Sequence, residues 1–510
     1  MLTKSITCGL DGVRGYPVSV EAYVSNGMVA FDIVGLPSAA VKESRDRVRA
    51  AMINSGYEFP FGKVTVNLAP ADVRKEGTSF ELAVAVALIS GKSSKPFQNL
   101  NSTMLLGELS LEGRLLPIRG ALGMAITAVE NGIQCLILPC ENAKEVACID
   151  GLQVYPAETL KQVCEHLTGE KHLQKQETLS FVDLQTTRPI RYDMREVKGQ
   201  AMARAALEVA AAGGHNLLMV GVPGSGKTML ARCLPGILPP LSYEEALETT
   251  LIHSASGELP ADSSLMTERP FRSPHHNTSM AAMIGGGAKA RPGEVSLAHN
   301  GVLFLDELPE FQRNTLEALR QPIEDGFVSI TRVSGQNQYP SRSMLVAGMN
   351  PCPCGNYGSK RKNCTCSASD IKRYLGRISG PLLDRLDIQV EMDAVTVEEI
   401  ETSSLQEDSL TIRKRVIAAR KRQLKRYHGT SIYCNAQLDQ QGLEHWCHME
   451  PTAKTLLMQA VDRFDMSMRA YARVRKVAMT IADLQEHDRI TMQDMAKAIQ
   501  FRNVDGRYWK

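Results

Sequence analysis

The sequence predicts an α/β protein with three successive parts: an N-terminal α/β domain, a central domain around a parallel sheet, and a helical C-terminal domain. Two patterns indicate this fold class. Short aliphatic runs alternate with helical stretches up to about residue 393, and after residue 395 the apolar residues recur mainly at helical spacing. The length supports the division, because 510 residues correspond to about three domains of roughly 100–200 residues each.

The composition excludes several protein classes. With 43% apolar and 22% charged residues, the chain is neither disordered nor fibrous. A formal net charge of +2 means that any nucleic-acid contact must depend on local basic patches. The chain starts without a signal-peptide pattern, and its longest apolar run, residues 82–89, is too short to cross a bilayer. We therefore expect a cytoplasmic protein without a membrane partner.

Changes in composition set the expected domain boundaries. Residues 1–168 form the N-terminal domain, 169–196 a polar linker, 197–393 the central domain and 394–510 the helical domain. The N-terminal domain contains strand-like and helix-like runs at Val18–Val24, Val64–Leu68, Phe80–Ile89 and Cys135–Leu138. The central domain is expected to contain three short aliphatic strands at Leu217–Val220, Val302–Leu305 and Met344–Ala347.

A glycine-rich segment after the first of these strands matches the phosphate-binding pattern G-x-x-x-x-G-K-[ST] and opens an expected helix. The segment consists of Gly221, Val222, Pro223, Gly224, Ser225, Gly226, Lys227 and Thr228. Its glycines would let backbone N–H groups surround phosphate oxygens at the helix N-terminus. Lys227 would neutralise the β- and γ-phosphates, and the Thr228 hydroxyl could ligate Mg²⁺. The segment predicts ATP and Mg²⁺ as cofactors.

Polar side chains also follow the second and third strands. Asp306 and Glu307 come directly after Val302–Leu305, where one carboxylate could orient Mg²⁺ and the other could polarise the attacking water. Asn350 follows the third strand and could hold that water against the γ-phosphate. Two acids after an apolar run are common by themselves, and Asn350 alone would be a turn residue. Together with the phosphate-binding segment they indicate an ATP-hydrolysing site.

These elements, in this order and spacing, resemble AAA+ ATPases and, more narrowly, the magnesium-chelatase-like group that includes the YifB and ComM proteins. The resemblance spans nearly the whole chain, and its most specific stretches are residues 31–37, 66–72, 274–276, 301–307 and 470–484. It implies that Asn350 is sensor 1, that Arg385 is an arginine finger for a neighbouring subunit's nucleotide, and that Arg469 is sensor 2. It also implies a ring, expected to be a homo-hexamer. The residues alone leave open an exposed Asp384–Arg385 pair and a solvated Arg469.

Two regions could contact DNA. Residues 327–339 are expected to form a β-hairpin, which in related ring motors projects into the pore. Arg332 and Arg342 are the cations available there for phosphate contacts, and residues 253–291 resemble a second pore-facing loop. A surface hairpin and loop is the alternative. Eight basic residues between 413 and 426 give a second region, as a solvated helix face or as a nucleic-acid surface.

Four cysteines form two C-x-C pairs shortly after Asn350. They are Cys352, Cys354, Cys364 and Cys366. Four thiolates on one loop suit tetrahedral Zn²⁺, although structural zinc sites usually space the two cysteines of a pair more widely. Reduced free thiols and a redox switch are the alternatives. A metal here would be structural and would rigidify the segment behind Asn350.

The N-terminal domain resembles the proteolytic domain of Lon at residues 75–80, 107–111 and 116–120, and Ser79 falls where that family has its nucleophile. The partner lysine is missing, because residues 121–124 read Ala, Leu, Gly and Met. A serine nucleophile needs a base. The domain is therefore expected to cleave nothing and to serve DNA binding or ring assembly.

The resemblance implies a hexameric AAA+ ATPase that couples ATP hydrolysis to movement on DNA. The expected role is a branch-migration helicase acting on branched or single-stranded recombination intermediates during natural transformation, with recombination proteins as further partners. One rival is a chelatase-type or chaperone-like motor that remodels a protein partner. The chelatase apparatus includes an integrin-like metal-binding domain, and nothing after Asp393 resembles one. A second rival, an ATP-dependent protease, is disfavoured by the missing lysine.

Overall fold

The computed structural model describes residues 2–185, 190–260, 263–287, 290–332, 335–359, 362–394, 406–502 and 508–509. The predicted fold class is confirmed. The chain is mixed α/β, with a parallel-sheet core and a helical C-terminal region. Among these residues, no helix is long and apolar enough to cross a membrane.

The described strands are β1 Leu2–Asp11, β2 Arg14–Ser25, β3 Ala30–Val34, β4 Lys63–Ala69, β5 Thr103–Leu105, β6 Glu108–Leu109, β7 Leu115–Leu116, β8 Cys135–Pro139, β9 Gln153–Ala157, β10 Leu217–Gly221, β11 Phe271–Arg272, β12 Gly285–Gly286, β13 Arg291–Pro292, β14 Val302–Leu305, β15 Phe327–Arg332, β16 Gly335–Pro340, β17 Met344–Met349 and β18 Ile388–Met392. The described α-helices are α1 Ala39–Asn54, α2 Glu81–Lys92, α3 Ala121–Glu130, α4 Ala143–Val146, α5 Leu160–Leu167, α6 Phe181–Leu184, α7 Ala201–Gly213, α8 Lys227–Ile237, α9 Tyr243–Ser256, α10 Met280–Ile284, α11 Glu294–Leu297, α12 Arg313–Ala318, α13 Arg320–Asp325, α14 Ala368–Leu375, α15 Gly380–Leu383, α16 Ser409–Arg426, α17 Gln440–Trp446, α18 Pro451–Phe464, α19 Met468–Leu484 and α20 Met492–Gln500.

The chain forms two compact units that are discontinuous in sequence. The first unit consists of Met1–Thr186, Ser242–Thr267 and Thr331–Tyr339. The second unit consists of Thr187–Leu241, Glu268–Ile330 and Pro340–Lys510. The expected domains are consecutive segments of the chain. In the structure, residues 242–267 and 331–339 of the expected central domain are excursions that join the first unit.

The first unit is built on a seven-stranded sheet with the order β3-β4-β2-β1-β5-β8-β9. Three of the apolar runs noted in the sequence lie in β2, β4 and β8, whereas residues 80–89 lead into and form helix α2. This helix is buried from Glu81 to Ile89, which explains why its sequence lacks the polar positions of an amphipathic helix. A short apolar run of this kind cannot be distinguished from a buried strand by periodicity alone.

Helix α9 anchors the excursion 242–267 within the first unit. The Gly120 N–H donates to the carbonyl of Ser254 over 3.2 Å, and the Ser254 hydroxyl donates to the Glu145 carboxylate. Glu145 is buried, and this burial raises the pKa of its carboxyl group. The Tyr243 hydroxyl donates to the carbonyl of Cys148 over 3.3 Å. Polar contacts at both ends of α9 therefore hold it to the N-terminal segment.

The second unit is built on a five-stranded sheet with the order β11-β14-β17-β10-β18, in which neighbouring strands are parallel. The three strands expected in the central region are β10, β14 and β17. Helix α16 packs against α7, α8 and α19, and the apolar side chains of these helices join one core with the sheet. This arrangement places all five carboxyl ends of the strands at one edge of the sheet.

The expected hairpin at residues 327–339 is present as the two-stranded sheet of β15 and β16. Residues 331–339 belong to the first compact unit. The side chain of Arg332, which the sequence suggested as a DNA contact, lies outside the described residues.

Candidate nucleotide-binding site

The parallel register of the second unit brings the predicted ATP-site residues to one edge of the sheet. Leu217 pairs with Val346, and Leu303 pairs with Leu345, so β10, β17 and β14 run side by side in the same direction. The segment 221–228 follows β10, residues 306–307 follow β14, and Asn350 follows β17. The carboxyl edge of a parallel sheet is the usual position of a ligand site in such folds.

The glycines of the phosphate-binding segment have two different roles. Gly224 and Gly226 have φ values of 78° and 92°, in the left-handed region that other residues rarely adopt. A Cβ at either position would meet nothing within 4 Å, so these two glycines serve the backbone conformation. At Gly221, a Cβ would lie 2.6 Å from the Met392 carbonyl oxygen, so this glycine allows close packing against β18.

Lys227 is already held inside the loop by oxygen atoms. Its Nζ donates to the carbonyls of Gly221 and Val222 over 2.8 and 3.1 Å, and to Asn350 Oδ1 over 3.2 Å. Burial lowers the pKa of the Lys227 ammonium group, and the nearby carboxylates of Asp306 and Glu307 oppose that shift. The loop therefore has a preformed cationic centre that phosphate oxygens could contact in place of the carbonyls.

Two oxygen donors suited to Mg²⁺ lie together beside this lysine. The Thr228 hydroxyl donates to Asp306 Oδ2 over 2.7 Å, and Asp306 Oδ1 accepts the Glu307 N–H over 3.0 Å. A Cβ at Gly348 would come within 3.0 Å of Asp306 Oδ1, so the glycine on β17 leaves space for the carboxylate. Hydroxyl and carboxylate oxygens are the ligands that Mg²⁺ prefers, together with water and substrate phosphate.

Glu307 has a strained backbone and a histidine partner. Its φ is 53°, an uncommon value for a residue other than glycine, and its side chain is 56% exposed. Glu307 Oε2 lies 3.3 Å from His276 Nδ1. The His276 ring lies 4.0 Å from the ring of His275 and edge-on to Phe311 at 6.5 Å. These contacts hold the imidazole against the carboxylate.

His276 is a site residue to which the sequence analysis assigned no role. Residues 274–276 were noted only as a specific stretch of the family resemblance. The contact arises because β11 pairs in parallel with β14, Phe271 opposite Val302, which brings the residues after both strands to the same edge. No strand is predicted at residues 271–272, so this pairing could not be predicted from the sequence.

Arg385 and Arg469 are not brought to this edge. Arg385 precedes β18, and its carbonyl accepts from Asn216 Nδ2 over 2.9 Å, just before β10 begins. A five-residue strand spans about 16 Å, so the phosphate-binding segment lies a strand length away at the opposite edge. Arg385 is buried and paired with Glu324, and Arg469 Nη1 lies 3.6 Å from Asp384 Oδ2. Both arginines are thus separated from the phosphate-binding segment of their own chain.

The four clustered cysteines converge into one group. Their Sγ atoms all lie within 4.8 Å of one another. Cys352 Sγ is 3.4 Å from Cys354 Sγ and 3.7 Å from Cys364 Sγ, and the Cys354–Cys364 distance is 3.6 Å. Hydrogen bonds from the backbone of Asn356 and Thr365 lower the pKa of the Cys354 thiol to about 5. The group therefore has the composition and the size of a tetrahedral four-sulfur metal site.

The expected DNA contacts have different surroundings. Arg342 places its guanidinium over the ring of Tyr433, with 5.8 Å between the guanidinium carbon and the ring centroid. In the basic helix α16, most of the arginines form ion pairs or hydrogen bonds with other segments of the chain. Arg415 pairs with Glu208 and Glu407, and the three exposed basic side chains are lysines: Lys414, Lys421 and Lys425. The lysines therefore form a solvated basic face, whereas Arg415 forms ion pairs that stabilise the fold.

In the Lon-like region, the structure places Ser79 against a backbone carbonyl. The buried Ser79 hydroxyl donates to the carbonyl of Cys8 over 3.2 Å. Residues 121–124 form the first turn of α3, and their side chains cannot titrate. The buried Lys75 donates its Nζ to the carbonyls of Val73 and Pro70. That the domain cleaves nothing stays a prediction.

Comparisons with known proteins give a consistent picture. Three family models match: "Magnesium chelatase, subunit ChlI" at residues 193–400, "Subunit ChlI of Mg-chelatase" at residues 20–142, and "Magnesium chelatase, subunit ChlI C-terminal" at residues 406–502. The YifB protein of Salmonella typhimurium is 44% identical over 497 residues, covering 97% of this chain and 96% of that protein. The competence protein ComM of Haemophilus influenzae is 39% identical over 499 residues, covering 96% and 95%. Lon protease of Rhizobium meliloti is 29% identical over 166 residues, 30% of this chain and 20% of that protein.

Proposed function

The chain belongs to the magnesium-chelatase-like AAA+ ATPase family that includes YifB and ComM, and we propose that it is an ATP-driven motor acting on DNA. The observation that carries the ATPase part is the convergence of Lys227, the Thr228–Asp306 pair and Glu307 at one sheet edge. Similarity to a competence protein supports the DNA part. The specific role we propose is branch migration of recombination intermediates during natural transformation.

The residues of the site would have different roles in phosphoryl transfer. The backbone of the phosphate-binding segment and Lys227 would hold the β- and γ-phosphates. Thr228 and Asp306 would hold Mg²⁺, which neutralises charge on the phosphates. Glu307 would orient and polarise the attacking water, with His276 holding the carboxylate in position. Asn350, which accepts from Lys227, would act as sensor 1 beside the γ-phosphate.

The positions of the two arginines support a ring of identical subunits. The Arg385 backbone lies about a strand length from the phosphate-binding segment of its own chain, and Arg469 lies beside Asp384, so both arginines suit a nucleotide on a neighbouring chain. We propose that Arg385 is the arginine finger, that Arg469 is sensor 2, and that the assembly is a homo-hexamer. The Arg385–Glu324 pair would then separate when the subunits assemble.

Subunit mixing tests this arrangement. Arg385→Ala is expected to bind ATP but to hydrolyse it slowly, because no finger reaches the neighbouring site. Mixed in equal amounts with Lys227→Ala protein, it should regain turnover, since about one interface in four then joins an intact loop to an intact arginine. The matched control mixes Arg385→Ala with the Arg385→Ala/Lys227→Ala double variant, which supplies no arginine. Equal turnover in the two mixtures would refute the trans-acting role.

The DNA substrate is tested by ATP turnover of the full chain with duplex, single-stranded and four-way-junction DNA at two salt concentrations. We expect the largest stimulation on the junction and a steep fall with salt, because phosphate contacts release counterions. Lys227→Ala provides the blank, and Arg332→Ala is expected to weaken the stimulation. Turnover indifferent to every DNA would instead favour a motor that remodels a protein partner.

We also propose that the four-cysteine group holds one structural Zn²⁺. Its single-metal size and its four sulfur ligands support this assignment. Replacing Cys352 and Cys354 together by serine would remove two of the four ligands, and the bound zinc should be lost with them.

A further inference from the structure

We propose that the zinc-loaded four-cysteine group is a positioning element of the phosphate-binding segment, so that metal occupancy sets the affinity for ATP. This inference rests on the zinc and ATP sites proposed above and is independent of the DNA substrate. Four observations carry it: the size of the sulfur group, the hydrogen bonds that close its loop, the attachment of that loop to Asn350, and its contact with Pro223.

The sulfur group has the dimensions of a single-metal site. Four ligands placed about 2.3 Å from one zinc ion at tetrahedral angles lie about 3.8 Å apart. Three of the six separations are 3.4, 3.6 and 3.7 Å, close to this value, and all six lie within 4.8 Å. They are far longer than the bond of about 2.05 Å in a disulfide. The four thiols are therefore arranged for one shared ion.

Backbone hydrogen bonds close the loop around this group. The Cys354 N–H donates to Cys366 Sγ over 3.4 Å, and the Tyr357 N–H donates to Cys352 Sγ over 3.3 Å. Donors of this kind offset the negative charge of metal-bound thiolates and orient them. The first bond joins the two C-x-C pairs directly, so the chain folds back on itself between them.

Both ends of the loop are attached to the ATP site. The loop begins two residues after Asn350, whose Oδ1 accepts from Lys227 Nζ over 3.2 Å. At its other end, the loop leads into helix α14, whose buried Tyr374 packs in the same core as Met349, the residue before Asn350. A change in the loop would therefore be transmitted to the position of Asn350.

The loop also lies directly on the phosphate-binding segment. Gly355 has a φ of 78°, and a Cβ built on it would lie 2.6 Å from both Cγ and Cδ of Pro223. No side chain fits between the Gly355 backbone and the Pro223 ring, so the loop supports the segment at Pro223. Holding the segment in its binding conformation lowers the ordering cost of ATP binding. Loss of the metal would release the loop and remove this support.

The first test measures zinc and nucleotide binding on the same full-length protein. Zinc content is determined by plasma mass spectrometry, and affinity by titration with a fluorescent ATP analogue, before chelation, after chelation and after zinc is returned. We expect one zinc per chain, an increase of at least about tenfold in the Kd on removal, and recovery on return. An unchanged Kd after removal, or purified protein without zinc, would overturn the proposal.

The second test keeps the metal ligands and changes only the contact. Gly355→Ala is expected to retain zinc but to weaken nucleotide binding, because the new methyl group meets the Pro223 ring. Adding Pro223→Ala to Gly355→Ala removes Cγ and Cδ of the ring and should recover part of the affinity that Gly355→Ala alone loses. Gly358→Ala is the matched control, since Gly358 also has a φ of 78° in the same loop. It carries the backbone strain and is expected to have a smaller effect on affinity.

The outcomes separate this proposal from the proposed function. Gly355→Ala protein with normal zinc content and normal ATP affinity would refute the positioning role. Linked zinc and ATP binding in a chain whose turnover ignores DNA would leave the positioning role intact and remove only the DNA motor.

Discussion

Replacing Lys227 with alanine is expected to abolish ATP turnover and to lower ATP affinity by about a hundredfold. Hydrogen bonds to charged groups contribute about 1.5–3 kcal/mol, and about 3 kcal/mol corresponds to roughly a hundredfold in affinity. The structure adds a second consequence. The Lys227 ammonium group also donates to the carbonyls of Gly221 and Val222. The variant loses these bonds, so the nucleotide-free protein should also unfold at a lower temperature.

Two measurements separate these effects. A fluorescent ATP analogue reports affinity, and thermal unfolding with and without ATP reports the stabilisation that the nucleotide provides. Lys421→Ala is the control, because it removes a lysine from the exposed face of α16. It should retain both the affinity and the shift in unfolding temperature. ATP binding of normal strength in Lys227→Ala would show that residues 221–228 are not the nucleotide site.

Glu307→Gln is expected to bind ATP normally and to hydrolyse it about 10²–10⁴ times more slowly. Glutamine preserves the size of the side chain and can adopt the same backbone conformation, but it cannot accept a proton from water. ATP should therefore remain bound, and the assembled ring should persist. Single-turnover hydrolysis and mass photometry in the presence of ATP would measure both properties.

His276→Ala tests whether the histidine positions the Glu307 carboxylate. It keeps the Glu307 carboxylate and removes the imidazole 3.3 Å from it. Because His276 positions the carboxylate and does not react itself, we expect a smaller loss, about ten- to hundredfold, with a changed pH profile of turnover. Normal turnover in Glu307→Gln would show that another group activates the water. A loss in His276→Ala as large as that in Glu307→Gln would indicate a direct role for the histidine.

The candidate ATP site could be predicted because each of its parts is local. The phosphate-binding segment, the acids after β14 and Asn350 after β17 each occupy a few consecutive residues at the end of a strand. Their chemistry requires particular residue types at that position, so the sequence pattern is specific. The cysteine group could be predicted for the same reason, since all four cysteines lie within residues 352–366.

Contacts between distant segments could not be predicted in this way. The arginines of α16 suggested a basic surface, yet Arg415 pairs with Glu208, more than two hundred residues earlier in the chain. Helix α9 follows the phosphate-binding region in sequence but joins the compact unit of the N-terminal segment. Neither periodicity nor composition records which carboxylate or which helix a distant residue will meet.

The sequence by itself determined the fold class, the phosphate-binding segment with its acidic partners, and the grouping of four cysteine thiols. These features follow from backbone requirements within single strand–loop–helix turns. Only the tertiary structure decided which distant residues are in contact. His276 contacts Glu307, Gly355 contacts the Pro223 ring, and Arg385 lies at the sheet edge opposite Lys227. Those relations depend on strand order and parallel register, which bring together residues far apart in the chain.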